Sequence, residues 1–99
     1  MQFVHHITNF KQYLDLIDSS PCIVKFTAIW CGPCKRMTPV FDKAASDHYD
    51  AANFIEIDID SCDEITNHEN VQSIPLFLFY KDGVKQENLT VTGQNIPLF

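Results

Sequence analysis

Apolar and polar residues alternate in a way that divides the chain into short, regular blocks. Phe3-Val4-His5-His6-Ile7 reads as a first strand. Phe10, Tyr13, Leu14 and Ile17 then recur at i, i+3, i+4 and i+7, the signature of one buried helix face. Asn9 can cap that helix, with Gln12 three residues on completing a capping box, and Ser19-Ser20-Pro21 ends it. Cys22 to Ala28 is β-branched and apolar on both faces, which fits a central strand covered on both sides; Lys25 is its one charged position.

From Pro33 to about Asp47 the period returns to helical, with Met37, Phe41, Ala44 and His48 on one face. Pro39 inside it is expected to kink it by removing a donor and crowding the preceding turn. Asn53 to Asp60 reads as the next strand. Ser61-Cys62-Asp63-Glu64 is a capping box that opens a short helix through about Glu69. Pro75 to Tyr80 is a further strand, Asp82-Gly83 turns the chain, and Val84 to Thr92 returns antiparallel. The order β-α-β-α-β-α-β-β predicts an α/β fold, a mixed sheet with helices on both faces.

Ninety-nine residues with no linker or repeat imply a single domain spanning 1–99. Eight Phe, three Tyr and one Trp supply a core, so disorder is not expected. The net charge of −6 argues against nucleic acid or an anionic membrane as the partner. No stretch approaches a membrane span, and Met1 to His6 lacks the basic and apolar regions of a signal peptide. A cytoplasmic location is the expectation. Four cysteines without such a signal do not suggest a structural disulfide framework.

Chemistry concentrates at Trp30-Cys31-Gly32-Pro33-Cys34, where a buried strand ends and a helix begins. Cys31 falls near the helix N-cap, where free N–H groups and the helix dipole stabilise a thiolate. Cys34 lies one turn on, within disulfide reach. Pro33 fits the first helical turn because its missing N–H would be unpaired there. Gly32 leaves room for another backbone, and Lys35 and Arg36 add positive charge. The plainer readings are half a zinc site or two inert thiols. With no second CxxC and no HxxxH, metal chemistry is the weaker option and redox chemistry the stronger.

These residues resemble the thioredoxin family. WCGPC followed by Lys35 is that family's active-site motif, Val24-Lys25-Phe26-Thr27-Ala28 is similar to its central strand, and Pro39 matches its helix kink. Ile57-Asp58-Ile59-Asp60 resembles its next strand. Ser73-Ile74-Pro75 resembles its cis-proline loop, and Lys81-Asp82-Gly83 with Val91-Thr92-Gly93 its last hairpin. The resemblance runs from about residue 3 to 93.

It implies a thioredoxin fold, with a central sheet of four to five strands, and reduction of protein disulfides by dithiol exchange. Cys31 would be the exposed nucleophile and Cys34 the buried resolving thiol, closing to a reversible Cys31–Cys34 disulfide with no bound cofactor and no metal. Gly32, Pro33 and Lys25 would tune the couple. Pro75 in cis would leave the Ile74 backbone free to pair with a substrate, and Trp30, Gly32, Pro33, Ile74, Pro75 and Gly93 would form the docking surface. Disulfide-containing proteins would be the substrates, and an NADPH-dependent thioredoxin reductase would recycle the carrier. The alternative is a binding module with secondary redox turnover. A disulfide oxidase or isomerase is a weaker third, opposed by Gly-Pro between the cysteines.

Two positions depart from the family pattern. Lys25 stands where the family has a buried Asp that accepts the resolving cysteine's proton. Glu56, opposite Lys25 in the family's sheet, is the partner expected for a buried lysine. After Gly93 six residues remain where the family closes with a helix. An apolar face left there is expected to be covered by Leu98 and Phe99, a second copy of the chain or another protein. Cys22 reads as a small buried hydrophobe and Cys62 as inert, with a regulatory role as its lesser reading. His5, His6, His48 and His68 lack ligand spacing, and Asp58 and Asp60 read as solvated.

Overall fold

A computed structural model describes residues 3–92 and 96–98. The order is β1 (Val4–His6), α1 (Phe10–Ser19), β2 (Cys22–Thr27), α2 (Gly32–His48), β3 (Asn53–Asp58), α3 (Asp63–His68), β4 (Ser73–Ile74), β5 (Leu76–Lys81), β6 (Val84–Lys85), a 3-10 turn (Glu87–Leu89) and β7 (Ile96–Pro97). Five strands form one mixed sheet in the order β1-β3-β2-β5-β6, and β4 pairs with β7 apart from it. Strands β1, β3 and β2 run parallel; β5 and β6 are antiparallel. This is the thioredoxin fold with five strands and helices on both faces.

Alternation along the strands builds the two faces. Val24 and Phe26 of β2, Ile55 and Ile57 of β3, and Leu78 and Tyr80 of β5 pack with Tyr13 and Ile17 of α1 and Ile65 of α3. Ile23, Phe54, Phe77 and Phe79 point the other way, against Phe41 and Ala45 of α2. Lys25 and Glu56 alternate onto this second face and lie directly opposite each other in the parallel register.

Several boundaries differ from the pattern. Asn9 caps α1 by accepting the Gln12 N–H at 2.8 Å, as the sequence implies. The Ser61 box does not form. Cys62 is the N-cap of α3, without a side-chain capping bond, because the helix starts one residue later than the box requires. His48 is exposed, and Ala45 takes the buried place expected of His48 on α2, whose helix runs on through Pro39. The strand expected over Pro75–Tyr80 is β5, Leu76–Lys81, and a cis Ile74–Pro75 bond separates it from β4, which the pattern did not show. Pro75 has no N–H to continue a ladder. The expected return strand Val84–Thr92 is two residues of β6, a 3-10 turn, and a bridge between Val91 and Phe77.

The β5–β6 turn is as the sequence indicates. Asp82 and Gly83 both take positive φ, 54° and 74°, the pairing that matches strand twist. At Gly83 a Cβ would come within 2.6 Å of Asp18 Oδ1, so the turn is packed against α1 as well as bent. The chain's last described residues fold back. Leu98 donates its N–H to the Gln72 carbonyl at 2.9 Å, and its side chain packs on the α1/α3 face, one of the coverings expected. Phe99 and Gly93, to which the sequence also assigned roles, lie outside the described residues.

Candidate active site

β2 delivers the chain to the start of α2 through Ala28, Ile29 and Trp30. Cys31 is the N-cap of α2, with extended φ/ψ and Pro33 in the first turn. Its sulfur accepts the Cys34 N–H at 3.2 Å, and its carbonyl accepts the Lys35 N–H at 3.1 Å. That N–H and the positive helix end are the kind of surroundings that favour an anionic thiolate once the disulfide is opened.

Cys31 and Cys34 are joined as a disulfide, their Cα atoms 5.2 Å apart. Both are fully buried. For Cys31 this corrects the expected exposure: bonded to Cys34 and accepting the Cys34 N–H, it is part of the buried core cluster in this oxidised form.

The surface around the bridge is apolar and open. Trp30 is 54% exposed, Ile29 76% and Val91 48%. Trp30 is held by a 2.9 Å hydrogen bond from Nε1 to the Asp60 carboxylate. Asp60 reads from its position as merely solvated, and nothing local signals a contact thirty positions away. Pro33, Met37, Pro75, Phe77 and Val91, with Arg36 beside them, line a groove of about 220 Å³. Among the described residues, a Cβ on Gly32 would meet nothing nearer than an Arg36 guanidinium nitrogen at 3.8 Å, so no described backbone crowds Gly32.

Ile74 is fully buried. Its backbone, expected to be free, is paired with Ile96 of β7. The tail returns to β4 in antiparallel register and fills the edge beside the cis peptide.

On the α2 side of the sheet, Lys25 is completely buried. Its Nζ donates to Thr38 Oγ1 at 3.0 Å, lies 3.5 Å from Glu56 Oε1, and stands 5.7 Å from the centre of the Phe41 ring. The ammonium therefore has a carboxylate, a hydroxyl and an aromatic face in place of water. Thr38, one helical turn after Cys34, also donates to the Cys34 carbonyl at 3.4 Å. Its i+4 spacing from Cys34 was the available signal, and sequence reading passed over it. Glu56 Oε2 reaches His6 Nδ1 at 3.2 Å.

The other two cysteines are buried free thiols. Burial pushes both thiols upward, and the neighbouring Asp58 carboxylate adds to the effect at Cys62. Cys62 donates to the Ile7 carbonyl at 3.3 Å and Cys22 to that of Leu16 at 3.4 Å. Among the described residues no group of His, Cys, Asp or Glu is disposed to hold a metal, and no helix is long and apolar enough to cross a membrane.

The family model described as thioredoxin matches residues 2–96. The chain belongs to the thioredoxin family. It is 39% identical over 97 residues to thioredoxin Asp f 29 of Aspergillus fumigatus, covering 95% of this chain and 86% of that protein. It is 41% identical over 80 residues to a thioredoxin of Mycoplasmoides gallisepticum, covering 79% of this chain and 78% of the relative. The structure of Malassezia sympodialis thioredoxin, Mala s 13, superposes with a TM-score of 0.84 at 30% identity, covering 93% of this chain and 80% of that one. Family membership supports an oxidoreductase acting by thiol–disulfide chemistry, and the Cys31–Cys34 bridge lies where such chemistry needs it.

Proposed function

We propose that this thioredoxin-family chain, a single domain over residues 1–99, reduces protein disulfides by dithiol exchange. The observation that carries the reading is a closed Cys31–Cys34 pair at a helix N-terminus, bordered by an apolar groove and a cis-proline. The Cys31 thiolate attacks one sulfur of a substrate disulfide and forms a mixed disulfide, while the second substrate sulfur leaves as a thiolate. Cys34 then loses its proton and attacks the Cys31 sulfur. The Cys31–Cys34 bond forms, the mixed disulfide breaks, and the remaining substrate sulfur departs and is protonated. The substrate is reduced by two electrons and the carrier oxidised by two.

Trp30, Gly32, Pro33, Ile74, Pro75 and Gly93 are the proposed docking surface, with Met37, Phe77 and Val91 added by the groove. Gly32, Pro33 and Lys25 are the residues that tune the couple. Disulfide-containing proteins are the substrates and an NADPH-dependent thioredoxin reductase the electron source. A reducing compartment such as the cytoplasm suits a carrier that must start each cycle as a dithiol.

Insulin precipitation driven by dithiothreitol tests the reading with the wild type and Cys31→Ser. Acceleration by the wild type and none by the variant is the expected result. No acceleration by either would favour the second reading, a binding module. The pairing of the Ile74 backbone with Ile96 is the observation on that side, because a peptide seeking the same edge meets it occupied.

A further inference from the structure

Seven residues of this acidic chain are Lys or Arg, against thirteen Asp and Glu. Four of the seven are taken up in ion pairs: Lys11 with Asp15, Lys25 with Glu56, Lys43 with Asp47 and Lys85 with Glu69. Arg36 is not. Among the described residues its guanidinium has neither a carboxylate nor another hydrogen-bond partner.

Its place decides what that free charge can do. Arg36 follows Cys34 by two residues on α2, and its side chain points back toward the helix start. Nη1 lies 3.8 Å from where a Cβ of Gly32 would stand, so the guanidinium reaches the turn that joins the two cysteines. The same side chain forms part of the groove beside the disulfide, whose other walls are Pro33, Met37, Pro75, Phe77, Val91 and Thr92. Arg36 is the one charged side chain of that groove. Phe77 and Val91 already exchange their backbone hydrogen bonds, at 2.9 and 3.1 Å, so this wall offers a visitor chiefly apolar surface. Asp60, bound to the Trp30 indole, is not among the walls.

We infer that Arg36 is a specificity-determining residue, and that it favours substrate segments carrying an Asp or Glu close to the reacting cysteine. This rests on the dithiol reading above and names the class of substrate for it. An extended segment advances about 3.3 Å per residue, so the acid that meets this guanidinium lies within about three residues of the sulfur that meets Cys31. A carboxylate there can take two parallel hydrogen bonds from the planar guanidinium. The apolar walls keep part of the surrounding water away and strengthen the attraction. A lysine in the same place meets a like charge. The net charge of −6 works in the other direction, but physiological salt screens charges more than about 8 Å apart. At contact distance Arg36 sets the sign.

The test uses self-quenched disulfide dimers of a short peptide, identical except for Glu, Gln or Lys two positions after the cysteine. A second set places the same residue two positions before it. Each is mixed with excess pre-reduced protein, and the second-order rate is read from the rise in fluorescence. The ratio of the Glu rate to the Lys rate is the quantity of interest. Any effect of Arg36 on the Cys31 thiolate changes both rates alike and cancels. In the wild type the ratio is expected to be roughly fivefold in at least one set, the scale of one favourable pair against one repulsive one at a half-open site. Arg36→Gln should bring it close to one, and Arg36→Glu should invert it. Raising potassium chloride to about 0.5 M should shrink the wild-type ratio. Lys35→Gln is the control, because Lys35 is an exposed neighbouring cation that does not line the groove. It should keep the wild-type ratio.

A wild-type ratio of one or below in both sets would overturn the assignment, as would a preference that survives Arg36→Glu. An equal loss in Lys35→Gln would give the preference to the general positive field of the helix start and overturn it too. Failure of the wild type to reduce any of the peptides, Gln included, would instead sink the dithiol reading.

Discussion

Trp30 donates its indole N–H to the carboxylate of Asp60, 2.9 Å away, and so ties the residue before the reactive pair to the loop after β3. The bond fixes a half-exposed indole, which is worth more for placement than for stability, since both groups face water. Asp60→Ala is expected to leave the melting temperature nearly unchanged. The KM for a protein disulfide should rise about threefold, while reaction with a small disulfide stays at its wild-type rate. Steady-state insulin reduction and Trp fluorescence anisotropy measure the two sides. An unaltered KM with a freely rotating indole would remove Trp30 from the docking surface.

Lys25 and Glu56 should be unequal in what their loss does. Glu56→Gln leaves a buried ammonium without its carboxylate, and about 3 kcal/mol of stability should be lost. Lys25→Met removes the cation and leaves Glu56 bound to His6 near the surface, so the loss should be smaller. The same variant removes a positive charge that favours a reduced Cys34 thiolate. Its reduction potential should fall by about 30 mV, equivalent to about 1.4 kcal/mol. Urea titration and equilibration against glutathione report the two quantities. A rise in potential would show that Lys25 does not act on the thiolate.

The cysteines should divide cleanly by reactivity. Cys31 and Cys34 are joined, and burial raises the thiols of Cys22 and Cys62. Iodoacetamide applied to the oxidised native protein should modify none of the four quickly. After mild reduction Cys31 should react first. Fast labelling of Cys62 in either state would revive a regulatory role for it.

Glu69 anchors a second buried cluster, at the end of the sheet where Cys22 pairs with Tyr80. It accepts hydrogen bonds from the Tyr13 and Tyr80 hydroxyls and lies 2.8 Å from Lys85 Nζ. Burial alone would raise its carboxyl. The bonds from Lys85, Tyr13 and Tyr80 outweigh burial and hold it below the ordinary value. A carboxyl held low in the folded state stabilises fully above its unfolded value of about 4.3, and the contribution fades as pH falls through the folded value. Burial first, and Glu69 second, push both tyrosines upward. Their contribution is full below about pH 10 and fades above it. Glu69→Gln should cost about 2 kcal/mol at neutral pH and flatten the acid limb of a urea-midpoint profile. An acid limb identical to the wild type would exclude Glu69 as its source.

Legibility in the sequence followed the range of the interaction. The α1 cap, the Asp82-Gly83 turn and the three long strands were readable because each depends on residues within a few positions. So was the cysteine pair, whose spacing and helix start are local facts. The Lys25–Glu56 pairing needed the parallel register, which the family resemblance supplied. The Trp30–Asp60 bond, the Glu69 cluster and the meeting of Thr38 with Lys25 join distant segments through side chains, and no periodicity encodes them. Ser61 misled because a box motif specifies a possible cap while tertiary packing decides where the helix begins. The β4–β7 pair was hidden for a related reason: two-residue strands carry too few positions to show an alternation.

That short pair also makes the chain its own competitor. Ile96 and Pro97 are covalently tethered to the edge they cover, so they act there at an effective concentration on the order of millimolar. An extended peptide that offers only backbone hydrogen bonds, at cellular concentrations far below that, loses the contest. One that also fills the groove at Met37 and Phe77, or that is held for a moment by a sulfur–sulfur bond to Cys31, can win it. On the proposed reading, the tail would thereby set a threshold of affinity at this edge, one that a segment bringing a disulfide with it can pass.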